Sequence, residues 1–279
     1  MKKLIILFSL LLMITSSCKK EIKIELKDTY VRLVVDGLLT NEAKRHTIKL
    51  SLTSNYFSSI DEEKKAEGAV VSLNDGTNTI ILTETSAGIY QTDSTYKGEI
   101  GKTYTLNIEY DKEEYSAVSI MKPVAPIDSI GFGIYENYDH DPTAPEQSSL
   151  FMYAQEPVTT GDYYLWNYYI NGVLKSDTIT DVAFASDEMV NGNYVSDNFP
   201  IYGFKANPTD SITLEMRSIT KEYYDFLLGI MYESMMGSSP FSGPPSNVKG
   251  NVKNITNKEK VVMGFFITSA VSKKTKMFE

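Results

Sequence analysis

Cysteine is almost absent from this chain: its 279 residues contain one, Cys18. No internal disulfide can form, so stability must come from packed cores, and a chain of this size can bury most of its apolar surface. Histidine is nearly absent too, with only His46 and His140. With so few of these residues, histidine-pair metal sites, cysteine clusters and Cys–His nucleophile pairs are nearly excluded in the mature chain. No Gly-x-Ser-x-Gly, phosphate-binding P-loop or dinucleotide fingerprint occurs. Paired carboxylates need no local motif, but chance pairs are expected among 36 acidic residues, and the reading is a protein that is not an enzyme. Cations are outnumbered, 27 Lys and Arg against 36 Asp and Glu. That balance argues against nucleic acid as a partner and against charge-driven binding to anionic lipid. After Ile14 no segment approaches the roughly 20 apolar residues that a membrane-spanning helix needs.

What is present begins with an address. Lys2 and Lys3 precede a mainly apolar run of eleven residues, Leu4 to Ile14, which is the build of a bacterial secretory signal. Thr15, Ser16 and Ser17 then lead into Cys18, and the segment resembles the lipobox of bacterial lipoproteins. Thr15 stands where that pattern usually has an aliphatic residue. The resemblance implies cleavage before Cys18 and a covalent lipid on it, with no other cofactor. The alternative is cleavage elsewhere, which would leave a free thiol. Removing residues 1–17 takes away two lysines and no acids, leaving 262 residues of net charge −11. Residues 18–28 read as a charged tether. Its Lys-then-acid start resembles signals for display on the outer face of the outer membrane, and a solvated linker would look the same.

From residue 29 the pattern is β. Apolar and polar residues alternate through Val31–Val35 and Thr47–Leu52. Ala69–Leu73 and Thr79–Thr83 flank Asn74-Asp75-Gly76, which reads as a type I′ hairpin turn. With Gly88-Ile89-Tyr90, Gly101–Ile108 and Tyr115–Met121, about seven short strands predict an immunoglobulin-like sandwich over 29–122, which also resembles the transthyretin-like regulatory domain of carboxypeptidases. Pro123 and Pro126 mark a linker over 123–126. A second antiparallel sandwich or barrel-like domain is expected over 127–279. It includes Tyr163–Ile170, a hairpin at Asn171-Gly172, Ser211–Ser218 and a last strand, Val261–Val271. One helix is expected at about 220–236. Thr220 caps it, and two apolar stripes, Tyr223/Phe226/Leu227/Ile230 and Tyr224/Leu228/Met231/Met235, read as largely enclosed.

Three groups are candidates for binding. Tyr164, Trp166 and Tyr168 share one face of a strand. If that face is open, it offers stacked rings to a glycan, a peptide or another protein; the competing reading covers both faces of the strand, one by the core and the other by the helix at 221–236. Phe241, Pro244, Pro245 and Asn247 lie in a Pro- and Asn-rich loop that serves either recognition or packing. Asp139, Asp141 and Glu146 offer oxygen ligands for calcium without the spacing of a known calcium loop.

Several short motifs occur in order along the chain: Val34-Val35-Asp36-Gly37, Gly88-Ile89-Tyr90, Gly101-Lys102-Thr103-Tyr104, Tyr202-Gly203-Phe204, Pro244-Pro245-Ser246-Asn247-Val248-Lys249-Gly250-Asn251 and Gly264-Phe265-Phe266. With the leader, they resemble the domain of unknown function 4249 family of outer-membrane lipoproteins. The resemblance implies a lipid-anchored protein of the outer membrane, exposed at the cell surface or facing the periplasm, and no catalytic residues. It also implies an accessory or ligand-capturing role beside a TonB-dependent β-barrel transporter. Two alternatives are a structural or adhesive, fimbria-like surface protein and a surface hydrolase working through carboxylates.

Overall fold

The computed structural model describes residues 30–54, 64–135, 147–236 and 248–279. Strands run in order β1 (Leu33–Thr40), β2 (Thr47–Leu52), β3 (Lys64–Lys65), β4 (Val70–Asn74), β5 (Thr79–Ile81), β6 (Thr83–Ser86) and β7 (Ile89–Gln91). β8 (Thr103–Tyr110), β9 (Glu113–Ile120), β10 (Ile127–Tyr135), β11 (Gln147–Gln155), β12 (Tyr163–Ile170) and β13 (Val173–Leu174) follow. Next are β14 (Ala183–Ser186), β15 (Tyr194–Phe204) and β16 (Ser211–Ile219), then helix α1 (Lys221–Met236). β17 (Lys253–Asn254), β18 (Met263–Ser269) and β19 (Val271–Met277) complete the order. The chain is mostly β, as its alternating pattern predicts.

The first sandwich has one sheet in the order β18-β1-β2-β7-β6, with β3 on β2, and a second in the order β17-β9-β8-β4-β5. Val35, Leu50 and Tyr90 from the first sheet meet Val71, Leu106 and Ala117 from the second. These residues sit at alternate positions of their strands, so a period of two sends one side chain in and the next out. The turn at Asn74-Asp75-Gly76 is wider than expected. Gly76 is left-handed at φ 88° while Asp75 is not, and the Asp75 carboxylate caps the Thr77 and Asn78 amides. Asn171 and Gly172 do both take positive φ, as a type I′ turn requires. So do Asp111 and Lys112, which join β8 to β9 in a hairpin whose turn residues give no strong signal.

The boundary expected at 127 needs correction. The C-terminal stretch returns to the first sandwich: β17 pairs with β9, and β18 lies parallel to β1 from Val34↔Met263 to Thr40↔Ser269. Val252, Val262, Phe266 and Ala270 are buried in the first core. A run that is apolar on both faces suits a strand covered on both sides, and it does not announce which sheet it joins. The outer edge of β18 is covered by side chains. Asn251 donates from Nδ2 to the Phe266 carbonyl at 2.7 Å and accepts from the Phe266 amide at 2.9 Å, imitating a neighbouring strand. Ser119 Oγ accepts from the Thr268 amide at 3.0 Å.

The expected last strand, Val261–Val271, is in fact two strands. The chain crosses at Ala270 from the first sandwich to the second, where β19 pairs with β16 along its length. Removing residues 272–279 would therefore delete a sheet strand, so that truncation reports on folding.

The second sandwich sets β10-β11-β15 against β13-β12-β16-β19, with β14 beside β12. Thr220 Oγ1 accepts from the Tyr223 amide at 3.2 Å and caps α1 as expected. One stripe of α1 is enclosed, with Tyr223, Phe226 and Leu227 on Leu165, Ile219, Phe265 and Ile267. The other stripe is not, since Leu228 and Met235 are exposed. Ion pairs tie the two sandwiches together. Lys273 on β19 reaches Glu42, just after β1, at 2.7 Å and Glu215 on β16 at 2.9 Å. Glu42 also holds Lys44, and Glu215 holds Arg217.

Candidate ligand-binding cleft

β12 brings Trp166 and Tyr168 to one face of its sheet, against β11 and β15. Tyr164 and Trp166 are buried and Tyr168 is half-buried. Their face belongs to the second core, so the row is not an open stacking platform. The Trp166 indole N–H points inward, 3.3 Å from the Met152 sulfur. Leu165 on the other face is covered by α1.

The row does edge a cavity. β14 pairs antiparallel with β12, setting Phe184 opposite Leu165 and Ala185 opposite Tyr164. Between these strands, β15 and the open stripe of α1 lies a space of about 560 Å³. Trp166, Tyr168, Ile201, Tyr202, Tyr224, Leu228 and Met231 line it. Met152, Trp166, Phe184, Ala185 and Tyr224 are shared with a second lobe of about 320 Å³ that reaches Tyr164 and Glu156. Apolar walls with a few polar groups, at this size, are the usual build of a small-ligand site. Tyr202 stands 61% exposed at the rim.

Glu156 belongs to a carboxylate trio. One oxygen each of Glu156, Asp162 and Asp187 lies within 4.8 Å of the others. The loop after β11 carries Glu156 and Asp162, and the turn after β14 carries Asp187. Backbone bonds join these loops, Asp187 to Asp162 at 3.0 Å and Gly192 to Pro157 at 3.1 Å. Asp187, only 2% exposed, accepts the Gly161 amide at 3.1 Å. Glu156, 5% exposed, accepts the Tyr164 hydroxyl at 2.8 Å. Burial pushes the Glu156 carboxyl up; the Tyr164 bond opposes this, and the Asp162 and Asp187 charges add to it. Among the described residues no cation pairs with the trio. Hard oxygen donors so grouped are able to share a proton or hold a calcium-like cation.

A raised carboxyl makes stability fall as pH rises from the unfolded value, about 4.3, through the folded one. In that window the native state keeps a proton that the unfolded chain has lost. Glu156→Gln keeps an acceptor for Tyr164 and removes one like charge. It should raise Tm at pH 7 and shrink the Tm gain seen on acidification from pH 7 to 5; thermal melts across that range read both. A lower Tm for the variant at pH 7 would contradict this reading.

The other candidates fall differently. Cys18, Asp139, Asp141, Glu146, Phe241, Pro244, Pro245 and Asn247 all lie outside the described residues. The trio was missed in the sequence because its members come from two loops without a spacing rule. The nearest signal was Glu156 and Asp162 flanking a short Pro- and Gly-containing loop between two strands.

A family model described as a domain of unknown function, DUF4249, matches residues 19–275. The chain belongs to this family. The match spans both sandwiches, and the motifs read from the sequence fall within it. Two of them have a clear physical role: Asn251 covers the edge of β18, and Gly264, its second residue, leaves room for the Val35 carbonyl of β1. No curated protein matches the sequence. Among solved structures, a chain from a cytokine receptor complex aligns at 8% identity, over 69% of this chain and 86% of that one. Its TM-score is 0.21, and it carries no argument.

Proposed function

We propose that this DUF4249 protein is a non-catalytic lipoprotein of the outer membrane. Attached through Cys18, it captures a ligand in the aromatic cleft and works beside a TonB-dependent transporter. The cleft edged by Trp166 and Tyr168 carries the capture half of the reading: aromatic and aliphatic side chains make most of its wall, Thr180 and Asp181 add polar groups, and the exposed Tyr202 rims it. A peptide with apolar side chains suits such walls, and a glycan would need the flat open rings that burial denies it. The leader supports attachment through lipid, and no helix among the described residues is long and apolar enough to cross a membrane. The transporter partnership rests on the family resemblance.

Cys18→Ala tests the attachment. The wild-type chain should sediment with membranes and the variant should appear in the soluble fraction. A variant that stays with the membrane contradicts the lipoprotein reading.

One observation favours a second reading, a carboxylate hydrolase: a group of three carboxylates adjoins the cleft through Glu156. Against it, Asp187 is buried and bonded to Gly161, out of reach of a substrate. Turnover of an activated glycoside that disappears in Glu156→Gln would favour the hydrolase.

A further inference from the structure

The aromatic cleft has a backbone wall as well as side-chain walls. β14 pairs with β12 and, among the described residues, with no other strand. The cleft lies along this outer edge and is walled on both sides of it. Trp166 and Ile201 belong to the core between the sheets, and Tyr224 and Leu228 to α1 on the outer face. β14 alternates between the two walls. Ala183 and Ala185 pack on the core, and the Phe184 ring lies 5.5 Å from that of Tyr224.

The β12–β14 ladder shows which backbone groups face the cleft. The Asp187 amide donates to the Asp162 carbonyl at 3.0 Å, and the register continues through Tyr163↔Ser186 to Trp166↔Ala183. In an antiparallel ladder every second residue exchanges bonds with its partner. Ala185 and Ala183 therefore direct their N–H and C=O to β12. Phe184 and Ser186 direct theirs the other way, to the outer edge. Outward donors and acceptors in alternation are a template for one more strand. They select an occupant with the same alternation, an extended peptide, whose successive side chains would fall on the two walls in turn.

Charge narrows the choice. Asp181 lies two residues before β14 and Glu188 two residues after it, and both are exposed. With Glu156 they line the two lobes of the cleft, and among the described residues no Lys or Arg does. Basic side chains suit the two ends of such a peptide, and apolar ones suit its middle.

We propose that the cleft binds an extended peptide as an added strand on β14, apolar in its middle and basic at its ends. This rests on the capture reading above and says how the ligand is held.

The probe is a capped hexapeptide, Val-Leu-Val-Leu between two lysines, titrated by calorimetry into the full chain carrying Cys18→Ala. One saturable site is expected. Amide exchange at Phe184 and Ser186 should slow about ten-fold or more in the complex. Ser186→Pro removes an outward amide and leaves the bonds to β12, a change that an edge strand tolerates. It should weaken binding about ten-fold with the melting transition retained. A peptide with glutamates in place of both lysines should bind about five-fold more weakly. Saturable binding with unchanged exchange at Phe184 and Ser186 would overturn the added strand and leave the capture reading standing. So would full-strength binding to a folded Ser186→Pro chain; the exchange measurement needs no variant and decides alone if that chain fails to fold. Equal binding of the acidic peptide would overturn the stated ligand chemistry. Absence of saturable binding by either peptide would overturn the proposal together with peptide capture.

Discussion

Gly264→Ala should destabilise the protein by about 3 kcal/mol or more, toward the upper end of single-residue effects. Gly264, the second residue of β18, has φ 89°, in the left-handed region that costs other residues about 1–2 kcal/mol. The larger part is steric. A Cβ there would collide with the carbonyl oxygen of Val35, the residue it pairs with on β1. That atom is backbone inside a sheet and cannot swing aside. A Cβ added at Gly250 would likewise collide with the Gly264 carbonyl, so three chain segments meet with no room for a side chain between them. Gly101→Ala is the internal control. It has nearly the same φ, 87°, with nothing within 4 Å of its Cβ position, so it should cost only the conformational part. Urea denaturation of both variants separates the two terms. Equal losses would show that β18 does not depend on close approach to β1.

Glu215→Ala should cost about 3–5 kcal/mol, the usual result of breaking one side of a buried ion pair. Glu215 is 1% exposed; it binds Arg217 at 2.5 Å and Lys273 at 2.9 Å and accepts from Asn167 at 3.2 Å. Without it, Arg217 and the Asn167 amide keep their burial and lose their acceptor. The acid limb of stability should change as well. Burial works against ionised Glu215 and Glu42, but their cationic partners prevail and both carboxyls are lowered, Glu42 to about 2. Between the unfolded value, about 4.3, and the folded one, the unfolded chain binds protons that the native state does not. Stability from these groups is complete above that window and drains away as pH falls toward 2. The Glu215→Ala variant should start lower and lose less between pH 5 and 3. A variant as stable as wild type, with the same acid limb, would remove this joint from the account.

These joints also show where sequence reading stops. Strands such as β2 and β16 are legible because they alternate, and Thr220 marks its helix because a cap must be a short polar residue. Asn171-Gly172 is legible because few other residues accept positive φ. The parallel seat of β18 is not, since its partner β1 lies more than 200 residues earlier and no local pattern records it. Tyr164, Trp166 and Tyr168 show the same limit: alternation placed them on one face, but only the packing of β11 and β15 decides that this face is core with a cleft at its edge. The Glu156, Asp162 and Asp187 trio depends on two loops meeting, and nothing in either loop names the other.

The proposed partnership at the membrane is tested by affinity purification of the wild-type protein from detergent-solubilised membranes. A stoichiometric β-barrel transporter is expected in the eluate, present with wild type and absent with Cys18→Ala. A clean monomer from intact membranes, with no barrel at any detergent strength, would contradict it.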